Sequence, residues 1–93
     1  MNIIYDPRFI NSFNNIWDYI ARDSKNRANK FKKEIKKSIE DIHHMPYKCR
    51  KSIYFDDNDI RDLIYKGYTI VYQVNKDKSI ITVLGIKKYK AEL

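Results

Sequence analysis

The sequence predicts an α+β fold, in which an N-terminal helical hairpin packs on one face of a small, mainly antiparallel sheet with the element order β-α-α-β-β-β-β. Apolar residues recur at helical spacing through the first half of the chain, and the pattern then changes to the alternation of strands. The chain has 93 residues and no visible linker. Because a chain of this size has no apolar residues to spare for a second core, we expect one domain over residues 1–93.

The first elements are a short strand over Asn2–Tyr5 and a helix that begins after Asp6. An aspartate at this place accepts hydrogen bonds from free backbone N–H groups, and Pro7 is tolerated because the first turn needs no donor from it. Apolar residues then fall three and four positions apart, so we expect them on one buried face. These are Phe9, Phe13, Ile16 and Ile20, widened by Ile10, Trp17 and Ala21.

The second helix is predicted from Lys25 to about His44, with Ser24 as its N-terminal cap. Pro46 ends it, because the residue before a proline is pushed out of the helical region. The short link between the helices makes an antiparallel hairpin. The apolar stripe of the second helix is Ala28, Phe31, Ile35, Ile39 and Ile42.

The second half of the chain has the pattern of a β-meander. Strands are predicted over Ser52–Phe55, Ile60–Tyr65, Tyr68–Val74 and Ile80–Ile86. Gly67 lies in one of the turns, where it is free to adopt a left-handed conformation. The alternation of these strands implies that the sheet has one apolar face for the helices to cover.

One face of the sheet must lie against the helices, because nothing else in the chain can bury their two apolar stripes. We expect Phe13, Trp17 and Phe31 between the hairpin and the sheet. The first strand is expected at an edge or beside the last strand, and the opposite sheet face is expected to be at least partly open. The strand residues predicted to face the helices are Tyr68, Ile70, Tyr72 and Val74.

Positive charge is the main compositional signal. Nineteen basic residues against twelve acidic ones leave a formal net charge of +7, which attracts polyanions or acidic proteins. Lysines of the second helix form a cationic surface that is either a solvated face or a docking site for an acidic partner. We assign the partner-binding role to Lys30, Lys33 and Lys37, with Lys25, Lys32 and Lys36 on an adjoining side.

Several other classes of protein do not fit the sequence. Its apolar runs are too short to span a bilayer and its N-terminus lacks a signal-peptide pattern, so we expect a cytoplasmic protein with no membrane contact. Cys49 permits no internal disulfide, and no histidine is placed to activate its thiol. His43 and His44 diverge by about 100° on a helix, which disfavours one shared metal. We expect no metal and no cofactor.

Several short motifs follow one another along the predicted elements. They are Asp18–Ser24 at the end of the first helix, Ala28-x-x-Phe31, Pro46, and Tyr68–Val74 before a last strand that is followed by lysines. Their joint order resembles the RelE/ParE superfamily of bacterial type II toxins, and the resemblance covers almost the whole chain. It implies a cytotoxic protein that is inhibited by an acidic antitoxin encoded beside it.

The superfamily implies one of two mechanisms. RelE-like toxins cleave messenger RNA on the ribosome without a metal, using a base, a cation that stabilises the phosphate charge, and an acid. ParE-like toxins instead bind DNA gyrase and trap it on cleaved DNA, with no chemistry of their own. The partner is therefore either gyrase or the ribosome with its message.

The residues favour the ParE-like branch. RelE-like nucleases have an arginine directly after the first tyrosine of the strand that matches Tyr68–Val74, whereas this chain has Thr69. The preceding strand of those nucleases offers lysines, and here Ile60 and Asp62 stand at the aligned places. An aspartate would repel the substrate phosphate. We therefore predict a gyrase-binding toxin, with a ribosome-dependent ribonuclease as the first alternative and a basic binding module outside toxin-antitoxin systems as the second.

The candidate site combines one strand residue with the basic segment after the last strand. Lysine lacks the bidentate fork of arginine, so Lys87 and Lys88 match neither branch fully. A surface charge at Arg61 and a solvated tail are the structural alternatives. The predicted target-binding residues are Arg61, Lys87, Lys88, Tyr89 and Lys90, and the candidate catalytic residues of a ribonuclease are Arg61, Lys87, Lys88 and Tyr89.

Overall fold

The computed structural model describes residues 1–88. Two helices pack on one face of a five-stranded sheet whose strand order is β1-β5-β4-β3-β2. The edge strand β1 pairs parallel with β5, and all the other pairs are antiparallel. The predicted fold class and element order are confirmed. The elements are β1 Asn2–Tyr5, α1 Pro7–Asp23, α2 Lys25–Asp41, β2 Arg50–Lys51, β3 Ile60–Tyr65, β4 Tyr68–Asn75 and β5 Ile80–Lys88.

The two helices share a single capping residue. The Asp6 carboxylate accepts from the Arg8 backbone N–H at 2.8 Å and starts α1. Ser24 ends α1 by donating its N–H to the Ile20 carbonyl, and its hydroxyl accepts from the Arg27 N–H at 3.2 Å to start α2. A link of one residue folds the helices back on each other as the hairpin that was predicted.

The core lies between the helices and strands β4 and β5. Phe13 and Phe31 are half-buried against it, and their rings stack with centroids 5.7 Å apart. Trp17 is half-buried but does not join this cluster, so its predicted core position is wrong. It lies about 80° around α1 from the direction of Phe9, at the margin of the apolar stripe. The buried core residues are Phe9, Ile35, Ile39, Ile42, Ile70, Tyr72, Val74, Ile81, Val83 and Ile86.

Helix α2 ends earlier than predicted. It stops at Asp41 with Ile42 as its C-terminal cap, rather than at about His44. The next backbone N–H groups bond three residues back, from Ile42 to Ile39 and from His43 to Glu40. These tighter bonds unwind the helix as a turn, before Pro46 is reached.

The predicted strand over Ser52–Phe55 is wrong. The strand at this place is Arg50–Lys51, and the segment that follows is irregular. The Ser52 N–H still donates to the Ile60 carbonyl at 2.8 Å, but the next two backbone donors find side chains instead of a strand ladder. The N–H of Ile53 donates to Asp62 Oδ2 at 3.2 Å, and the N–H of Tyr54 donates to Ser52 Oγ at 3.2 Å. Side-chain acceptors of this kind compete with regular structure.

Candidate functional site

The irregular segment Ser52–Phe55, which we call the crossing loop, lies over the sheet face opposite the helices. At one end it is bonded to Asp62 on β3, and at the other the Tyr54 ring lies with its centroid 3.5 Å from Lys87 Nζ on β5. Since β4 runs between β3 and β5, the loop must cross it. This accounts for the burial of Thr69 and Val71, which are 0% and 6% exposed although they face away from the helices.

The two neighbouring lysines at the end of β5 face opposite sides of the sheet. Lys87 pairs with Thr69 and shares its face with the crossing loop, whereas Lys88 pairs with Tyr68 on the helix side. A register shift opposite Val71 and Tyr72 inserts one extra residue into β5, which reverses the alternation beyond it. Tyr89 and Lys90, the other predicted target-binding residues of this segment, lie outside the described residues.

The structure does not bring Arg61 together with Lys87. Arg61 pairs with Tyr72 and therefore lies on the helix side of β3. Its guanidinium donates to the Cys49 carbonyl at 3.1 Å and lies 4.8 Å from the centroid of the Tyr47 ring. These contacts hold the connection between α2 and β3, so Arg61 is a half-buried structural residue rather than a solvated surface charge, and its role in target binding stays a prediction.

Asp62 is a buried anchor for the crossing loop. Its Oδ2 accepts from Arg50 Nη2 at 3.4 Å as well as from Ile53, and the carboxylate is fully buried. Its Oδ1 and the Thr69 hydroxyl find no hydrogen-bond partner among the described residues. The side chains of Asp62 and Thr69 carry no positive charge, and the crossing loop covers both of them.

A groove of about 450 Å³ remains open beside the crossing loop, and we call it the open-face groove. Val71 and Leu84 supply apolar wall, whereas Gln73 supplies an amide. Cations come from Arg8 of α1 and Lys87 of β5. The Arg8 guanidinium also bonds to Asp6 at 3.0 Å and holds the pKa of that carboxyl below its usual range. The groove therefore combines apolar surface with positive charge.

A second groove, of about 240 Å³, lies between α1 and α2, and we call it the helical groove. Burial and then the charge of Glu40 raise the pKa of the Tyr5 phenol in this groove. Two lysines of α2, Lys32 and Lys36, flank the apolar side chains. The groove is lined by Tyr5, Phe9, Ile10, Phe13, Ile35 and Ile39.

The lysines predicted to bind an acidic partner do not line the helical groove. Lys30, Lys33 and Lys37 are exposed on the side of α2 away from its buried residues. The groove lysines are Lys32 and Lys36, which the sequence places on the adjoining side. The signal for them was their position directly after the buried or half-buried Phe31 and Ile35.

A cluster around Tyr47 fastens the connection between α2 and β3, and sequence reasoning missed it. The Tyr47 hydroxyl donates to Asp59 Oδ1 at 2.6 Å, which raises the pKa of this phenol to about 12. Lys76 Nζ and the Arg61 guanidinium each lie 4.8 Å from the ring centroid. Nothing in the local sequence pattern brings these distant residues together.

The family of the chain follows from a match that spans nearly all of it. Residues 3–91 match the sequence model of the ParE toxin of the type II toxin-antitoxin system parDE. The chain belongs to the ParE toxin family. This confirms the predicted superfamily and its favoured branch. No curated protein sequence is significantly similar to this toxin.

Solved structures of both branches share the fold of the ParE-family toxin. A chain of the chromosomal ParDE system of P. aeruginosa has a TM-score of 0.76 at 14% identity, with 97% of each chain covered. E. coli RelE bound to a peptide of antitoxin RelBc has a TM-score of 0.66 at 21% identity, covering 97% of this chain and 84% of that one. The intact E. coli RelBE complex gives 0.59 at 19%, covering 97% and 98%.

Neither helix in the described part of the toxin is long and apolar enough to cross a membrane.

Proposed function

We propose that this ParE-family toxin inhibits growth by binding DNA gyrase and trapping it on cleaved DNA, and that an acidic antitoxin neutralises it in the cytoplasm. Membership of the ParE toxin family supports this reading. On this view the toxin supplies binding surface and contributes no chemistry of its own.

The observation that carries the proposal is the burial of Thr69 and Asp62 on the sheet face opposite the helices. A RelE-like nuclease would need cations at the places of Thr69 and Asp62, next to the scissile phosphate. Here those side chains are neutral or acidic, and both are buried beneath the crossing loop. A buried carboxylate already bonded to Arg50 and to the Ile53 N–H cannot hold a phosphate.

The helical groove suits the proposed antitoxin. Its apolar lining would take one face of an amphipathic segment, and Lys32 and Lys36 would meet carboxylates at its side. The outer lysines Lys30, Lys33 and Lys37, with the net charge of +7, would speed association by long-range attraction. A segment that continued over the sheet edge would also obstruct access to the target surface.

Ribosome-dependent cleavage of messenger RNA is the second candidate. The similarity to RelE structures and the position of Lys87 on the sheet face opposite the helices favour it. Under this reading Lys87 would stabilise phosphate charge and Tyr89 would act as the general base, whereas Lys88 lies on the helix side of the sheet and would not reach the same phosphate. DNA gyrase would then be replaced as partner by the ribosome and its message.

The two candidates differ in what stops first after the toxin is induced in cells. Gyrase poisoning should damage DNA and cause filamentation while translation continues at first. A nuclease should stop protein synthesis within minutes and leave codon-linked cuts in messenger RNA. Tyr89→Phe sharpens the comparison, because loss of a general base costs about 100-fold or more in rate, whereas a binding surface loses little.

Antitoxin binding is tested by two matched charge reversals on α2. Lys32→Glu with Lys36→Glu should weaken the antitoxin complex by roughly 10-fold or more, mainly through faster dissociation. Lys30→Glu with Lys37→Glu changes the net charge equally but lies away from the groove, and should mainly slow association. Kinetics at two salt concentrations separate these effects. Equal effects from the two pairs would count against the groove as the antitoxin site.

A further inference from the structure

We infer that the apolar run Ile53-Tyr54-Phe55, which we call the loop ridge, is the anchor by which the toxin holds its protein target. The inference rests on the proposed function and names the part of the toxin that makes the contact. The three side chains are 63%, 40% and 47% exposed. Consecutive large apolar side chains left in water are a sign of an interaction site.

The loop ridge is held in place before any partner binds. Its backbone is bonded to Asp62 and to the Ser52 hydroxyl, and its central ring lies against Lys87. An exposed ion pair from Lys51 to Asp56, at 3.1 Å, joins the two ends of the loop but contributes little to holding it, because both charges are in water. A surface that is ordered in advance loses little conformational entropy on binding, so its apolar area contributes more to affinity.

The chemistry beside the loop ridge defines the partner. The open-face groove adjoins Tyr54 and Phe55, offers apolar wall from Val71 and carries cations at Arg8 and Lys87. It fits a protein surface that inserts an apolar side chain and places carboxylates next to it. Aromatic anchors beside such a pocket are typical of the residues that dominate binding energy.

A protein fits this surface better than a nucleic acid. Ile53 is the most exposed residue of the ridge, and an aliphatic side chain gives bases no ring on which to stack. One face of the Tyr54 ring is already occupied by Lys87. Asp56 and Asp57 follow directly in the sequence and would repel a phosphate backbone.

The loop ridge fits a role in binding the target better than a role in binding the antitoxin. The loop ridge lies across the sheet from the helices, whereas the proposed antitoxin site is the helical groove. Among residues 1–88, no residue lines both surfaces. Substitutions in the ridge should therefore separate target binding from antitoxin binding.

The test compares Ile53→Ser combined with Phe55→Ser against Tyr19→Ser. Tyr19 is 71% exposed on α1 and lines neither groove, so it serves as the control for loss of exposed apolar surface. Each variant would be purified and assayed against DNA gyrase on supercoiled plasmid and against the antitoxin. We expect the ridge variant to inhibit gyrase roughly 30-fold less well and the control to match the wild type. Antitoxin affinity and melting temperature should stay close to wild type in both.

Three results would overturn the inference, and each points to a different error. A ridge variant that inhibits gyrase as well as the wild type removes the ridge from the target surface while leaving the proposed function intact. An equal loss of antitoxin affinity assigns the ridge to the antitoxin. A wild-type toxin that leaves gyrase unaffected defeats the proposed function and the inference together.

Discussion

At the centre of the β4 strand, residues on both faces of the sheet are buried, but by different means. Ile70 and Thr69 are adjacent and both fully buried. Helices α1 and α2 cover Ile70 with a periodic apolar stripe, whereas the crossing loop covers Thr69 through hydrogen bonds to a few side chains. Covers held by few bonds open more readily than packed helices. The comparison indicates a cover held by extensive packing on one face and a cover ordered by a few specific hydrogen bonds on the other.

Loss of a helix-side core residue should have the largest effect on stability. Ile39 is buried at the centre of the helical stripe, so Ile39→Ala should lower the free energy of unfolding by about 2 to 5 kcal/mol. Urea titration followed by circular dichroism measures this. A loss below about 1 kcal/mol would mean that the helices do not form the main cover of the core.

Two matched valines compare the faces directly. Val74 points into the helix-side core and Val71 points to the crossing loop, and both are buried. Val74→Ala should cost more free energy of unfolding than Val71→Ala, because packed helices cannot collapse into the cavity as a loop can. Denaturant titration of both variants gives the difference. Equal or reversed costs would contradict the idea that the loop is the softer cover.

The attachment of the crossing loop depends on Asp62. Asp62→Ala removes the acceptor for Ile53 and the partner of Arg50, so the loop should detach while the helical core persists. Amide exchange at Ile53 should then accelerate by roughly 10-fold or more, with little change at Ile70. Uniform acceleration across the sheet would show that Asp62 supports the whole fold and not the loop alone.

The smallest expected effect is the pH dependence of stability that the Tyr47 hydroxyl produces. The hydrogen bond from Tyr47 to Asp59 raises the pKa of the phenol to about 12, so the protonated phenol is favoured in the folded state. Its stabilisation is complete below the ordinary value near 10 and disappears as pH rises toward about 12. Melting curves of wild type and Tyr47→Phe should therefore converge across this window. A difference in melting temperature that stays constant across this pH window would show that the hydrogen bond is not what stabilises the wild type.

The scaffold could be predicted from the sequence because local signals agree there. Helical spacing, the caps at Asp6 and Ser24, and alternation in β4 all indicate the same structure. The features that the sequence pattern did not predict depend on contacts between residues that are far apart in the chain. The crossing loop owes its shape to Asp62, and the bulge in β5 decides that Lys87 rather than Lys88 faces the loop. Neither leaves a periodic signal.

The candidate site was harder to predict for the same reason. Arg61 belongs to a strand whose position was predicted correctly, yet its side chain turns to the helix side and bonds to Cys49 and Asn58. The adjoining lysines Lys32 and Lys36 flank the helical groove because of where α1 docks, which the pattern of α2 alone cannot reveal. The sequence shows which residue types are present. It does not show which face of the sheet a side chain occupies or which elements pack beside it.

The most direct test of the central claim is an assay of the purified toxin against gyrase and, in parallel, against ribosomes translating a defined message. The account predicts that gyrase accumulates cleaved DNA in proportion to added toxin, while the message stays intact. Cuts in the ribosome-bound message that disappear with Tyr89→Phe, together with unaffected gyrase, would contradict it.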